Sequence, residues 1–393
     1  MGRTDAVIVD VVRTPSGRGK PGGTLSEVHP VDLAATVLTR LLERNGLESR
    51  QIDDVLMGCV SQVGDQAMNV GRQAVLAAGF DESVPATTID RQCGSSQQAA
   101  HFAAQGVMAG AYDIVIAAGV ESMSRVPLGS SARGGSVAAG ITARYPEGLV
   151  NQGVSAELIA QRWGLSRDAL DAFAAESHRR AAAAAADGSF SSQMIPVQTP
   201  TGLADRDETI RPATTAEGLA GLGPAFRTDE LAARFPEVEW RVTPGNSSPL
   251  TDAASAALIM SADRAEQLGL TPRARFHSFS VVGDDPLLML TGPIPATRRV
   301  LERSGLTIAD LDLYEVNEAF SSVPLAWLQD LDADPARLNP WGGAIALGHA
   351  VGASGTRLLG TLVAALEATG GRYGLQTMCE GGGLANATII ERL

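Results

Sequence analysis

Hydrophobic and polar positions along the first third of the chain follow a repeating order of strand-like and helix-like segments. Short β-branched runs predict strands, and longer segments with apolar residues at three- and four-residue spacing predict helices. The predicted strands cover residues 6–12, 54–58, 86–89 and 112–118, and the predicted helices cover 30–45, 69–78 and 95–108. This alternation predicts an α/β fold with a mainly parallel sheet covered by helices on both faces.

The middle of the chain lacks this regularity. Residues 125–146 are rich in Gly, Ser and Ala without a clear period, and helices are predicted only over 154–163 and 167–186. Residues 196–239 are predicted to be mostly irregular. We therefore interpret this stretch as a long insertion rather than a third core domain.

The second half of the chain repeats the first. The matched segments, first half against second, are 41–47 with 300–306, 52–57 with 311–316, 93–96 with 349–355 and 118–122 with 378–383. Each half thus has a strand after an acidic turn, a Gly/Ser turn that opens a helix, and a last strand with a polar exit. Two such units related by a pseudo-twofold axis would bring equivalent loops to one place, at the strand ends where α/β sheets bind ligands.

Composition narrows the class of protein and of partner. The 393-residue chain is 45% hydrophobic and 19% charged, which is typical of a globular α/β protein of about two or three domains. No apolar run is long enough for a membrane span, and the N-terminus lacks the features of a signal or transit peptide. The net charge of −13 argues against nucleic acid and anionic membranes as partners.

The three cysteines set the expected compartment. Cys59, Cys93 and Cys379 occur without a CxxC motif, so neither a disulfide framework nor a zinc site is supported, and no metal is expected. A reducing cytoplasm is the expected location. Cys93 lies at a predicted strand-to-helix junction, where free backbone N–H groups and the helix dipole favour a thiolate. The alternative is a buried cysteine that packs as a small hydrophobic side chain.

Four positions at strand exits or helix entrances combine into one chemistry if they meet. Cys93 could attack a carbonyl or thioester, with His349 accepting the thiol proton, and Cys379 could move a proton at a carbon acid or a leaving thiol. Asn317 and the bare backbone N–H groups of 381–383 could bind an oxyanion. The alternatives are that His349 is a core histidine with its hydrogen bonds satisfied, that Asn317 caps a strand end, and that 381–383 is a plain glycine loop.

Four motifs resemble those of the thiolases, the acetyl-CoA C-acyltransferases. They are DRQCGSS at 90–96, NEAF at 317–320, GHAVGASG at 348–355 and CEGGG at 379–383. The resemblance covers essentially the whole chain. It implies the five-layered αβαβα thiolase fold, with an N-terminal half over 1–120 and 246–270, an inserted loop domain over 121–245 and a C-terminal half over 271–393.

The resemblance also implies a role for each site residue. Cys93 would be the acylated nucleophile, His349 its activator, and Cys379 the acid/base. Asn317, through a held water, and His349 would form one oxyanion hole, and the N–H groups of Cys93 and Gly381 the other. No permanently bound cofactor is implied.

Coenzyme A would be a cosubstrate, and the resemblance implies contacts to it. Ser248 stands at the contacting position of the pantetheine loop, and Arg211 matches an arginine that faces coenzyme A, although a solvated loop arginine is an equal alternative for it. The implied partners are acyl-CoA and CoA, in a homodimer or homotetramer.

Several positions depart from the usual thiolase pattern. Ala350 replaces a proline, Trp341 precedes the Gly-Gly pair where an asparagine is usual, and Leu384 replaces a glutamine. None of these changes removes a catalytic atom, but Trp341 and Leu384 could reshape the acyl pocket. The His-Met-Gly segment of the biosynthetic thiolases appears as 151–153, Asn-Gln-Gly.

In its DRQCGSSQQ run and MCEGGG ending, the chain resembles actinobacterial thiolases that degrade steroids and other bulky acyl-CoA esters. We therefore expect thiolysis of a 3-ketoacyl-CoA with release of acetyl-CoA. The alternatives are a biosynthetic acetyl-CoA acetyltransferase that runs the Claisen condensation, and a non-catalytic acyl-CoA or sterol-binding protein.

Overall fold

The computed structural model describes residues 4–393, so the first three residues of the predicted N-terminal half lie outside it. The strands of this part of the chain are β1 Ala6–Arg13, β2 Gly17–Arg18, β3 Asp54–Gly58, β4 Ala86–Ile89, β5 Ile114–Ser122, β6 Val197–Thr199, β7 Gly202–Ala204, β8 Thr251–Ser261, β9 Ala274–Gly283, β10 Leu313–Val316, β11 Tyr373–Glu380 and β12 Leu384–Arg392. Its helices are α1 Pro30–Asn45, α2 Val70–Ala77, α3 Ser95–Met108, α4 Ala139–Arg144, α5 Gln152–Arg162, α6 Arg167–Ala186, α7 Ala216–Ala220, α8 Asp229–Arg234, α9 Ala262–Gln267, α10 Pro293–Ser304, α11 Ser322–Leu331, α12 Ala344–Leu347 and α13 Ser354–Thr369.

Ten of these strands form one mixed sheet. Its order is β10-β11-β12-β9-β1-β8-β5-β3-β4, with β2 beside β8. Only the β3–β4, β3–β5 and β10–β11 pairs are parallel, and the other pairs in the sheet are antiparallel. The prediction of a mainly parallel sheet was therefore wrong. β8 returns beside β5 after the long insertion, and β12 follows β11 through a tight hairpin, so both run against their neighbours.

The two halves have the same strand order. Read from the first strand of each half outward, β1-β8-β5-β3 corresponds to β9-β12-β11-β10. The halves meet where β1 pairs with β9 in antiparallel register, Val7 opposite Arg275 and Ile8 opposite Ala274. The repeat seen in the sequence is thus a repeat of topology about a pseudo-twofold axis.

Three buried clusters divide the molecule into five layers. Along β1, Val7 and Val9 pack with α1 and α2, whereas Ala6 and Ile8 pack with α3 and α13 on the opposite face of the sheet. The same α3–α13 cluster also contains side chains of β9, β10 and β12. The other face of these C-terminal strands packs on α10 and α11. The order of layers is therefore helices, sheet, central helices, sheet, helices. The central layer consists of α3 from the first half and α13 from the second.

The segment between β5 and β8 contains more regular structure than the sequence predicted. β6, β7, α7 and α8 lie within the stretch predicted to be mostly irregular. This insertion is tied to the core at Arg13 of β1, whose guanidinium donates two hydrogen bonds to the carboxylate of Asp207, at 2.7 and 2.9 Å. Since both side chains are buried, this ion pair fixes the insertion beside the end of β1.

Within residues 4–393, no helix is both long and apolar enough to cross a lipid bilayer. The same residues contain no group of three or more His, Cys, Asp or Glu side chains placed to hold a metal ion.

Candidate active site

Cys93 lies in a tight turn between β4 and α3. Gln92 before it has a left-handed backbone, with φ of 49°, and the Ser95 hydroxyl bridges the turn by accepting from the Arg91 N–H and donating to the Gln92 carbonyl. A side chain at Gly94 is excluded, because a Cβ there would lie 1.9 Å from Oε1 of Glu380. The turn that presents Cys93 is therefore held by its own hydroxyl bridge and packs closely against the Glu380 side chain of β11.

His349 precedes α13, and its ring is oriented by Ser354. The Ser354 hydroxyl donates to the Ala350 carbonyl at 2.9 Å, so it accepts a hydrogen bond from Nδ1–H of His349 at 2.6 Å. The His349 backbone N–H donates to Oγ1 of Thr251 at 2.9 Å. Because Nδ1 carries the proton, the Nε2 lone pair is left free to accept one.

Asn317 follows β10 and connects the imidazole to the second thiol. Its Nδ2 lies 3.4 Å from Nε2 of His349, and the same amide hydrogen-bonds to the Cys379 thiol, where it partly offsets the rise in pKa that burial causes. Its backbone N–H donates to the Thr377 carbonyl at 3.0 Å, which fixes it beside β11. One amide thus contacts both candidate proton carriers.

Gly381 begins the hairpin turn between β11 and β12. The backbone N–H groups of Gly381 and of Cys93 itself are directed at the Cys93 sulfur, where they partly offset the rise in pKa that burial causes. Gly382 and Gly383, with φ of 86° and 78°, have a backbone that other residues rarely adopt, so these two glycines are needed to form this turn. The two N–H groups form a donor pair suited to an oxyanion.

Burial controls the charge of the site. It raises the pKa of Cys93 well above its ordinary value, with Cys379 and Glu380 adding to the effect, and it raises the pKa of Cys379 to about 12. Burial, together with the positive charge of Arg357, lowers the pKa of His349 to about 3. The expectation of a Cys93 thiolate was therefore wrong, since desolvation of the sulfur outweighs the effect of the local N–H groups. Both thiols and the imidazole are neutral near pH 7.

The site opens into a cavity of about 780 Å³, which is within the usual range for a small-molecule site. Cys93, His349, Gly381 and Ser248 line it. Its apolar lining includes Met123, Leu128, Phe226, Leu250, Met289 and Phe320. Asn317 and Cys379 are fully buried beside it, so the structure brings six of the seven predicted site residues to one place.

The seventh, Arg211, is not among the residues that line this cavity. Its side chain is exposed, and its backbone N–H donates to Nδ1 of His178 at 3.1 Å. Trp341 and Leu384 do not line the cavity either, and Trp341 instead packs edge-on against Phe190. Neither side chain therefore shapes the pocket as the sequence had suggested.

Glu121, at the end of β5, is a site residue that sequence reasoning missed. Its carboxylate accepts hydrogen bonds from the backbone N–H groups of Val60, Ser61 and Gly352 and from Nε2 of Gln66, all between 2.8 and 3.0 Å. Val60 and Ser61 line the cavity, so this one carboxylate positions loops from both halves. Its repeat partner is Glu380, and that equivalence was the available signal in the sequence.

The chain is similar in sequence to known proteins. The family model described as the thiolase N-terminal domain matches residues 6–263, and the one described as the thiolase C-terminal domain matches residues 270–392. A steroid 3-ketoacyl-CoA thiolase, FadA6, of Mycobacterium tuberculosis is 46% identical, over 99% of this chain and 95% of that protein. A 3-ketoacyl-CoA thiolase of Cronobacter sakazakii is 44% identical, over 98% of this chain and 99% of that protein.

Among solved structures, the acetyl-CoA acetyltransferase of Bacillus anthracis has a similar fold. It superposes with a TM-score of 0.88 at 36% sequence identity, covering 100% of this chain and 99% of that one.

Proposed function

Because the chain belongs to the thiolase family, we propose that it is a 3-ketoacyl-CoA thiolase, which transfers an acyl group to coenzyme A and releases acetyl-CoA. The observation that carries this proposal is the meeting of two buried thiols, one from each half, with one neutral imidazole beside a single cavity. The 3-ketoacyl-CoA thiolase names of the relatives support it.

The first step forms the acyl-enzyme. The Cys93 sulfur bonds to C3 of the 3-ketoacyl-CoA as the thiol proton passes to Nε2 of His349, so the nucleophile is generated only when its target is present. The C2–C3 bond then breaks, and its electron pair goes to C2, giving the enolate of acetyl-CoA. Cys379 donates a proton to that carbon, and acetyl-CoA leaves. The N–H groups of Cys93 and Gly381, with Asn317 and His349, supply the donors for the oxyanions.

The second step returns the site to its starting state. The Cys379 thiolate takes the proton of the incoming CoA thiol, which attacks the acyl-Cys93 carbonyl. Cys93 leaves and recovers its proton from His349. The reverse sequence is a Claisen condensation by the same residues. This is the alternative function, a biosynthetic acetyl-CoA acetyltransferase, and the name of the Bacillus anthracis protein supports it.

The substrate end of the site supports a large acyl group. The cavity of about 780 Å³ has a mainly apolar lining, and the relative from Mycobacterium tuberculosis is named for steroid substrates. Coenzyme A would be held as a cosubstrate, with Ser248 at the pantetheine arm and Arg211 reaching it from outside the cavity. A purely acyl-CoA-binding role would have no use for two paired thiols.

Three further parts of the proposal concern the whole protein. The chain would act in the cytoplasm, where three free thiols stay reduced. It would assemble as a homodimer or homotetramer. The N-terminal half would comprise 1–120 and 246–270, with the loop domain 121–245 inserted in it, and the C-terminal half would comprise 271–393. The boundary at 120 falls inside β5, which ends at Ser122.

Intact-protein mass spectrometry tests the mechanism. Wild type mixed with 3-ketoacyl-CoA esters should gain the mass of the acyl group, and Cys93→Ala should gain none. Cys379→Ser should slow overall turnover by about 100-fold or more, the size expected for a lost acid/base. It should leave acylation by a simple acyl thioester, which needs no enolate protonation, far less affected. An acylated Cys93→Ala, or equal losses in both Cys379→Ser assays, would contradict the assignment.

A further inference from the structure

Two amide side chains lie together beside Gly381. A Cβ built on Gly381 would be 2.9 Å from Oε1 of Gln92 and 3.3 Å from Nε2 of Gln152. Both glutamines line the same cavity as Cys93 and His349. The mechanism proposed above uses neither of them.

Gln92 is oriented with its acceptor toward Gly381. Its backbone N–H donates to Oδ1 of Asp90 at 2.7 Å, and its Nε2 donates to the same carboxylate at 3.3 and 3.4 Å. Because the amide nitrogen is taken by Asp90, Oε1 faces the cavity. The left-handed backbone of Gln92 holds this side chain immediately next to the nucleophile.

Gln152 presents the opposite group. It is the first residue of α5, and Asn151 before it caps the helix by accepting from the Val154 N–H. Among residues 4–393, nothing forms a hydrogen bond with the Gln152 side-chain amide, which is half-buried and has its nitrogen near Gly381. A donor and an acceptor therefore stand side by side at one edge of the cavity.

We infer that Gln92 and Gln152 form a polar subsite that selects 3-ketoacyl-CoA esters whose acyl group carries a hydroxyl within a few carbons of C3. A hydroxyl both donates and accepts, so it can pair with Gln92 Oε1 and Gln152 Nε2 at once. This inference rests on the proposed function.

The position of the subsite favours the acyl group over the pantetheine arm. Gln92 precedes Cys93 directly, and both amides lie beside Gly381, whose N–H faces the Cys93 sulfur. A group that reaches both amides would therefore lie near the carbon that Cys93 attacks. A plain alkyl chain would leave Gln92 Oε1 and Gln152 Nε2 without a substrate partner, which is unfavourable in a pocket whose lining is mainly apolar. Selection by such groups is a difference in kcat/KM between two substrates.

The test compares 3-ketohexanoyl-CoA with its 4-, 5- and 6-hydroxy derivatives. Wild type should prefer at least one hydroxy ester over the plain ester by about 3- to 10-fold in kcat/KM, the effect of one or two neutral hydrogen bonds. Gln152→Met, of nearly equal volume, should remove that preference. Gln105→Met, on the exposed face of α3, is the matched control and should keep it.

Three results would overturn the inference. Wild type could show no preference for any hydroxy ester, or Gln152→Met could keep the preference. Gln152→Met could also lower kcat/KM equally for all four esters, which would place Gln152 on the pantetheine arm. In each of these cases turnover of the plain ester leaves the proposed function standing, whereas a Cys93 that neither these four esters nor a longer or steroidal 3-ketoacyl-CoA acylates would remove both.

Discussion

Ser354 determines which nitrogen of His349 can take a proton. Without its hydroxyl, Nδ1–H loses its acceptor, and the ring is free to turn or to change tautomer. We expect Ser354→Ala to lower kcat about tenfold or more, a fraction of the effect of losing the base itself, with little change in KM. Steady-state kinetics would measure this, with the exposed Ser192→Ala as a control that leaves both constants unchanged. A Ser354→Ala enzyme with wild-type kcat would show that Asn317 and packing alone orient the ring.

The identity of the candidate residues was predictable, whereas their charge was not. Cys93, Asn317, His349 and Cys379 were placed together from motif and repeat alone. In the structure Cys93 and His349 line one cavity, and Asn317 and Cys379 are buried beside it. The thiolate expectation failed because a helix N-terminus is a local feature, but desolvation depends on everything packed around the sulfur. Ser354 was missed for a related reason, since its contact with His349 depends on the ring orientation.

At the scale of helices and strands, the predictions were accurate where end signals are local. The predicted bounds of α1 are those of the structure, since Pro30 suits the first helical turn and Gly46, with φ of 62°, ends it. Strand direction could not be obtained in the same way. The antiparallel partner of β5 is β8, which begins well over one hundred residues later, so this register depends on the path of the whole insertion.

The contact between α3 and α13, the two central helices, depends on a glycine. A Cβ at Gly355 would lie 2.1 Å from the backbone nitrogen of Gln97, so the helices cannot approach this closely with any larger residue. We expect Gly355→Ala to lower the free energy of unfolding by about 1–3 kcal/mol, the usual cost of overpacking. Urea unfolding would measure it.

The matched control is Gly140→Ala in α4, where a Cβ meets nothing within 4 Å. Alanine is the better helix former, so this variant should be as stable as wild type or slightly more stable. Equal stability of the two variants would mean that the central helices can move apart at no cost.

At the scale of the molecule, the two halves produce a site that neither contains alone. Cys93 comes from the first half, and His349, Asn317 and Cys379 come from the second. The packing that brings them together also excludes water from their thiols. Cys59 is buried as well, and burial raises its pKa well above its ordinary value. Stability should therefore depend on pH through these thiols as a group.

The direction of that dependence follows from the raised pKa values. In the unfolded chain the thiols ionise near pH 9.0, whereas in the folded protein Cys59, Cys93 and Cys379 stay protonated, with the pKa of Cys379 at about 12. Between these values the folded state binds more protons, so its stability is complete below pH 9 and is lost as the pH rises. From pH 8 to pH 10 each thiol should contribute a loss of about 1.4 kcal/mol, or about 4 kcal/mol for the three.

Urea unfolding at the two pH values in the presence of a reducing agent would measure the loss. Single Cys→Ala variants should each reduce the loss by about 1.4 kcal/mol. A triple variant as sensitive to pH as wild type would show that other groups cause the loss.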